Sequence, residues 1–95
     1  MIAQELKKQV VDYLMRFNPQ RIAVFGSVAR NEENKASDLD LLVSFKDTIG
    51  LLQLIRIQRE LTEIVGRKVD LVTNRSLKNS KLKAHISKDL QIIYG

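Results

Sequence analysis

The sequence predicts an α/β (α+β) protein in which helices cover one face of a small mixed β-sheet. Short segments rich in β-branched and apolar residues alternate along the chain with longer segments whose apolar residues recur every three or four positions. A chain of 95 residues is also too short to divide into two halves that each fold unaided. We therefore expect one domain over residues 1–95 with the order helix, strand, strand, helix, strand, helix, strand.

The first helix and the first strand occupy the N-terminal quarter of the chain. The apolar stripe of the predicted helix consists of Ile2, Leu6, Val10, Tyr13, Leu14 and Phe17. The pair Asn18-Pro19 should end this helix, because the residue before a proline disfavours helical backbone angles. "RIAVF" (residues 21–25) is then a strand, and residues 26–37 form a polar turn region with room for a short helix from Ser27.

The second strand, "DLDLLVSF" (residues 38–45), has an apolar residue at every second position. The pleat places Leu39, Leu41, Val43 and Phe45 on one face, and Asp38, Asp40, Leu42 and Ser44 on the other.

The C-terminal half continues with two helices and two strands. A second helix is predicted from about Ile49 to Val65, with Gly66 as its C-terminal cap. Its apolar stripe is expected in the core, with docking of a partner by part of it as the alternative, and consists of Leu51, Leu54, Ile55, Leu61 and Ile64 or Val65. "KVDLVT" (68–73) is the third strand, a basic third helix follows near residues 76–87, and "LQIIY" (90–94) is a short last strand.

Three aspartates should converge on the sheet face that the helices leave open. Asp38 and Asp40 lie roughly 6.6 Å apart on one face of their strand. Asp70 points to that face if its strand is a neighbour, since Val69 and Leu71 suit the covered side. Converging carboxylates repel unless a cation lies among them, and oxygen ligands suit Mg²⁺ or Mn²⁺. We expect Asp38, Asp40 and Asp70 to hold two such ions for a phosphoryl displacement; the alternative is a set of solvated strand carboxylates.

Gly26 and Ser27 follow the first strand and suit the binding of phosphate. Glycine lets a phosphate approach the backbone, and Ser27 can cap a following helix while its hydroxyl donates to phosphate oxygens. Arg30, one turn further, reaches the same phosphates or is a surface charge.

The spacing of these residues resembles that of a known enzyme family. Gly26-Ser27, ten residues and Asp38-Leu39-Asp40 form the pattern G-S-x10-D-x-D between two apolar strands. This pattern resembles the nucleotidyltransferase superfamily that includes polymerase β, and the short chain is most similar to its minimal nucleotidyltransferases. The resemblance implies a nucleotidyltransferase fold over nearly the whole chain. It also implies that Gly26 and Ser27 bind the triphosphate of ATP and that Asp38 and Asp40 ligate metal. Asp70 matches the third carboxylate of the family, which shares a metal and activates the incoming hydroxyl.

The same resemblance implies a partner and an acceptor. Minimal nucleotidyltransferases are commonly antitoxins encoded beside a HEPN-domain toxin, so AMP from ATP is expected on a toxin tyrosine (AMPylation). The chain has no room for a domain that would hold another acceptor. One alternative is a binding module that neutralises its toxin by contact alone, and another is an enzyme that adds nucleotides to RNA.

The composition of the chain excludes some kinds of site and predicts a cellular location. The absence of cysteine excludes disulfides and zinc–thiolate sites, and no apolar run or leader suggests a membrane or secreted protein, so we expect a cytoplasmic location. The net charge of +5 falls within residues 67–95, where it marks a nucleic-acid surface, a surface for an acidic partner, a site for a phosphate-rich substrate such as ATP, or a solvated helix face. Only 5% of residues are aromatic, which argues against direct binding of single-stranded nucleic acid.

Overall fold

The computed structural model describes residues 4–26, 38–73 and 90–95. The elements in chain order are α1 (Gln4–Leu14), a 3-10 turn (Met15–Phe17), β1 (Pro19–Phe25), β2 (Leu39–Phe45), α2 (Leu51–Val65), β3 (Val69–Thr73) and β4 (Gln91–Tyr94). All six predicted helices and strands within the described ranges are present. The predicted short helix from Ser27 and the basic helix near residues 76–87 lie outside the described residues, as do Ile2 and the lysines of that helix.

The boundaries of all six elements differ from the predictions, and β2, β3 and β4 each begin one residue later than predicted. The first α-helix ends at Leu14 and tightens into the 3-10 turn, after which Asn18 adopts a left-handed conformation with φ of 53°. β1 begins at Pro19, two residues earlier than predicted, which is allowed because a proline needs no ladder donor at the first position of a strand. α2 begins at Leu51, after Gly50 in extended conformation, rather than at Ile49.

The described strands form one mixed sheet in the order β3-β2-β1-β4. β1 pairs antiparallel with both β2 and β4, and β2 pairs parallel with β3. The parallel pair is connected by α2, as expected for strands that need a crossover rather than a tight turn. The mixed sheet predicted from the sequence is therefore confirmed.

The core lies between one face of this sheet and helices α1 and α2. Its buried residues are Leu6, Val10, Tyr13, Leu14, Ile22, Val24, Leu39, Leu41, Val43, Ile57, Leu61 and Val69. The β2 members are alternate residues of the strand, so the predicted apolar face is the one that the helices cover. Each fully buried aliphatic side chain contributes about 1.5–3 kcal/mol through removal from water.

The predicted core stripe of α2 was partly wrong. Leu51, Ile55 and Ile64 are exposed by 73%, 48% and 42%, whereas Ile57 and Leu61 are fully buried. The stripe that packs on the sheet runs through Ile57, Leu61 and Val65 at intervals of four residues. Because α2 carries apolar residues on more than one side, its periodicity alone did not identify the buried side.

A polar contact joins the two helices within the covered side of the sheet. The Tyr13 hydroxyl donates a 2.8 Å hydrogen bond to Glu60 Oε2, and the Arg16 guanidinium carbon lies 5.3 Å from the Tyr13 ring centroid. Burial, followed by the hydrogen bond to Glu60, raises the pKa of Tyr13 to about 12. The pair therefore fixes α1 against α2 with the phenol in its neutral form.

None of the helices in the described ranges is both long and apolar enough to cross a lipid bilayer.

Candidate active site

The parallel pairing of β2 and β3 brings two of the predicted site residues side by side. Asp40 and Asp70 are directly paired across the two strands. Their neighbours Leu39 and Val69 are fully buried in the core, so the aspartates lie on the opposite face of the sheet. Adjacent strands are about 4.8 Å apart, which brings the two carboxylates within reach of a common ligand. The register agrees with the open face predicted for both residues.

Gly26 lies directly beside this aspartate pair, at the end of β1. The last residue of β1, Phe25, pairs with Asp40, and the chain then turns through Gly26 with φ of 77°. A Cβ on Gly26 would overlap Asp40 Oδ2 and lie 3.2 Å from Asp40 Cγ. Glycine is needed here both for its left-handed backbone and for its lack of a side chain. The backbone of the predicted phosphate-binding turn thus begins in contact with a predicted metal ligand.

Hydrogen bonds that β3 donates to side chains of α2 hold the strand segment that carries Asp70. The backbone N–H of Leu71 donates to Gln58 Oε1 at 2.9 Å, and that of Val69 donates to Thr62 Oγ1 at 3.1 Å. These bonds flank Asp70 and satisfy outward-facing donors of β3, which is an edge strand among the described strands. Sequence reasoning missed Gln58 and Thr62. Their spacing of four residues places them on one side of α2, but nothing in the sequence showed that this side meets β3.

A further bond links the beginnings of the two strands. The Leu39 N–H donates to the Lys68 carbonyl oxygen at 2.8 Å. Asp38 comes immediately before this anchor point and before the first residue of β2, and its side chain is partly buried. The pleat of β2 therefore positions Asp40 more firmly than it positions Asp38.

The carboxylate oxygens of the site are of the kind that binds a divalent cation. Asp40 and Asp70 are paired, hard oxygen ligands, and such ligands suit Mg²⁺ or Mn²⁺. Within residues 4–26, 38–73 and 90–95, however, no three Asp, Glu, His or Cys side chains are grouped closely enough to hold one ion. The chemistry of the residues fits the predicted metal, with Asp40 and Asp70 as its paired ligands and Asp38 as a further ligand that is not gathered with them. The metal-binding roles of all three stay predictions.

Two predicted site residues fall outside the described part of the chain. Ser27 and Arg30 belong to residues 27–37, so their predicted phosphate contacts remain sequence-based. Gly26, Asp38, Asp40 and Asp70 are described, and the structure brings Gly26, Asp40 and Asp70 together.

Sequence comparison places the chain within a known family of proteins. Residues 8–95 match the family described as "Polymerase beta, Nucleotidyltransferase". A Methanocaldococcus jannaschii protein provisionally named a protein adenylyltransferase is 39% identical over 77 residues, which are 81% of this chain and 83% of the relative. The protein adenylyltransferase MntA of Thermococcus cleftensis is 41% identical over 68 residues, 72% of this chain and 69% of the relative.

Solved structures show the same architecture. A structure provisionally described as a minimal nucleotidyltransferase is 34% identical, with a TM-score of 0.76 over 93% of this chain and 89% of the other. A toxin–antitoxin crystal structure with AMP-PNP has a TM-score of 0.84 at 23% identity, over 94% of this chain and 73% of the other. A tri-AMPylated Shewanella oneidensis HEPN toxin in complex with an MNT antitoxin gives a TM-score of 0.79 at 22% identity, over 97% and 71%. The last two likenesses show the fold alone, and they confirm the predicted fold.

Proposed function

The chain belongs to the polymerase β nucleotidyltransferase family, and on that premise we propose that it transfers AMP from ATP to a hydroxyl group of a partner protein. The observation that carries the proposal is the pairing of Asp40 with Asp70 beside Gly26. A nucleotidyl transfer needs a place for a triphosphate next to carboxylates that bind metal and accept a proton, and this corner of the sheet provides both.

The residues of the site divide into those that bind the triphosphate, those that bind metal and the one that accepts the proton. Gly26 leaves room for the triphosphate at the end of β1, and Ser27 and Arg30 donate to its oxygens. Asp40 and Asp70, with Asp38 as a further ligand, would hold Mg²⁺, which would neutralise the charge of the phosphates and activate the attacking hydroxyl. Asp70 takes the hydroxyl proton as the acceptor oxygen bonds to the α-phosphorus and the bond to pyrophosphate breaks.

The proposed partner is a HEPN-domain toxin, and the proposed acceptor is one of its tyrosines. The names of the curated relatives support a protein acceptor, since both are called protein adenylyltransferases. A structural neighbour with a tri-AMPylated HEPN toxin supports the kind of partner. Each added AMP brings negative charge and bulk, which would repel and block RNA at a ribonuclease site. The chain would thus act as an antitoxin through covalent modification.

Intact-mass spectrometry tests this proposal. The protein is incubated with ATP, Mg²⁺ and a HEPN-domain protein encoded beside its own gene, and the partner should gain the mass of one or more AMP units. The gain should disappear without ATP, with a metal chelator, and in the Asp40→Asn variant. A partner that is bound and inhibited but never gains mass would establish the contact antitoxin instead. Extension of RNA in place of the partner would establish the RNA-directed enzyme.

Calorimetry tests the metal dependence separately. A triphosphate brings several negative charges toward Asp38, Asp40 and Asp70, so ATP should bind well with Mg²⁺ and poorly without it. Equal affinity under both conditions would exclude the metal-binding role of the aspartates.

A further inference from the structure

Two apolar side chains lie beside the aspartate pair on the sheet face opposite to α1 and α2. Leu42 and Val72 are directly paired across β2 and β3, two residues beyond the Asp40–Asp70 pair. Because side chains alternate along a strand, Leu42 and Val72 point to the same face as the aspartates. We call Leu42 and Val72 the apolar platform.

The apolar platform is not part of the packed core. The core is formed from the other face of the same strands, by Leu41 and Val43 of β2 with Leu71 of β3 packed against them. Leu42 and Val72 are both partly exposed, although each follows a residue that faces the core. Apolar side chains that remain in contact with water next to a polar, chemically competent site are typical of a surface that binds a ligand.

The distance from the aspartates matches one kind of ligand. Two residues of strand place the platform roughly 6.6 Å from the aspartate pair. This separation is close to the length of a tyrosine side chain from its hydroxyl oxygen to its Cβ. A tyrosine whose hydroxyl reaches Asp70 would therefore extend its ring from the aspartates toward the apolar platform, with the far edge of the ring and Cβ over Leu42 and Val72.

The position of Gly26 determines the side from which such an acceptor arrives. The triphosphate enters at Gly26, beside Asp40 on the β1 side. In an in-line displacement the attacking oxygen lies opposite the leaving pyrophosphate, which puts the acceptor toward β3. Adenine is separated from the reacting phosphorus by the ribose, so the platform immediately next to the aspartates suits the acceptor better than the base.

We propose that Leu42 and Val72 bind the ring of an aromatic acceptor and so select a tyrosine over a serine or threonine hydroxyl. The inference rests on the proposed AMP transfer to a partner protein. The phenol oxygen bonds to the α-phosphorus, its proton passes to the Asp70 carboxylate, and pyrophosphate leaves with the electrons of the broken phosphorus–oxygen bond. The platform contributes binding and orientation, and Asp70 performs the proton transfer.

The test compares Leu42→Ala and Val72→Ala with a matched control on the same face. Ile92 of β4 is 48% exposed and lies across from Ala23, which in turn pairs with Leu42, so Ile92 is two strands away from the platform. Ile92→Ala removes a similar apolar group outside the proposed acceptor site. Leu42→Met is the conservative variant, because it keeps an apolar side chain of similar size. AMP transfer to the HEPN-domain partner, ATP affinity and melting temperature are measured for all four.

The expected result is a drop of about tenfold or more in kcat/KM toward the partner for Leu42→Ala and Val72→Ala, with unchanged ATP affinity. Ile92→Ala should stay near the wild-type rate, and Leu42→Met should recover most of the transfer that Leu42→Ala loses. Wild-type transfer rates in both platform variants would overturn the inference while leaving the proposed function standing. A loss of ATP affinity in them would also overturn it and would assign the platform to the base. If the wild-type protein transfers no AMP, the proposed function fails first and the acceptor site fails with it.

Discussion

Leu41 and Leu42 are adjacent in the sequence and belong to opposite sides of the molecule. Leu41 is fully buried under α1 and α2, whereas Leu42 is partly exposed two residues from Asp40. A single strand thus supplies stability through its odd-numbered residues and the candidate chemistry through its even-numbered ones. A slip of one residue in the register of β2 would exchange the two sets, so the apolar face that drives folding also fixes where the aspartates lie.

Polar side chains have different kinds of neighbour on the two faces of the sheet. On the covered side, the Tyr13 hydroxyl and the Glu60 carboxylate satisfy each other and hold the helices together. On the opposite side, Asp40 and Asp70 are two carboxylates paired directly across β2 and β3 beside Gly26. The first arrangement is a structural contact, and the second is typical of a functional site.

The largest contrast in stability should come from truncating the two leucines of β2 separately. Leu41→Ala should lower the free energy of unfolding by about 2–5 kcal/mol, because it leaves a cavity in the core. Leu42→Ala should lower it by about 1 kcal/mol or less, since its side chain already contacts water. Urea denaturation measures both, and equal losses would contradict the assignment of the two faces.

Alanine variants of two glycines with similar backbone angles distinguish the effect of backbone strain from the effect of contact with the site. Gly26 and Gly66 have φ of 77° and 74°, so an alanine at either position should cost about 1–2 kcal/mol of stability. A Cβ at Gly66 meets nothing within 4 Å, whereas one at Gly26 overlaps the Asp40 carboxylate. Only Gly26→Ala should therefore also weaken ATP binding, as measured by calorimetry. Equal ATP affinity in the two variants would show that Gly26 serves the turn alone.

The Tyr13–Glu60 contact should make the free energy of unfolding depend on pH in the alkaline range. The pKa of Tyr13 is raised from 10.0 to about 12, mainly by burial and then by the bond to Glu60, so its contribution is complete below pH 10 and is lost as the pH rises toward 12. Tyr13→Phe should cost about 1.5 kcal/mol of unfolding free energy at pH 8. The difference between the two proteins should shrink between pH 10 and 12. A difference that stays constant over that range would contradict the contact.

The smallest expected effect tests how α2 supports the site. Gln58→Ala removes the acceptor for the Leu71 N–H and should cost about 1 kcal/mol. Because Leu71 follows Asp70, AMP transfer should fall by more than this loss of stability explains. Gln53→Ala, at an exposed position of the same helix, is the control and should change neither quantity. If the two glutamine variants have the same stability and the same rate of AMP transfer, the hydrogen bond that Gln58 accepts from Leu71 does not position Asp70.

Much of the fold could be predicted because β2 and β3 have patterns that allow one arrangement. Leu39, Leu41 and Val43 recur at every second position, with Asp38, Asp40 and Ser44 in the other set, so the period of two determined both the strand and its buried face. The same pattern, together with Val69 and Leu71, placed Asp70 on the face of Asp40. The shared face required only that β2 and β3 be neighbours, whereas the direct pairing of Asp40 with Asp70 depends on the parallel register that the structure shows.

Other features depend on contacts that no local pattern encodes. The buried side of α2 was misassigned because Leu51 and Ile55 are as apolar as Ile57 and Leu61, and only packing against the sheet distinguishes them. Gln58 was missed because a glutamine on a helix usually faces solvent, whereas here it bonds to a strand thirteen residues away. The closeness of Gly26 to Asp40 follows from strand pairing and could not be measured from sequence spacing.

The central claim is that the open face holds a nucleotide and transfers part of it with Asp70 as the base. The most direct measurement is AMP incorporation by Asp70→Asn, alongside ATP binding by the same variant, with the exposed Asp12→Asn as control. Asn keeps the shape of the side chain but cannot accept the proton. Transfer should fall by about 10²–10⁴-fold while ATP binding largely persists, and Asp12→Asn should match the wild-type protein. Transfer at the wild-type rate by Asp70→Asn would contradict the account.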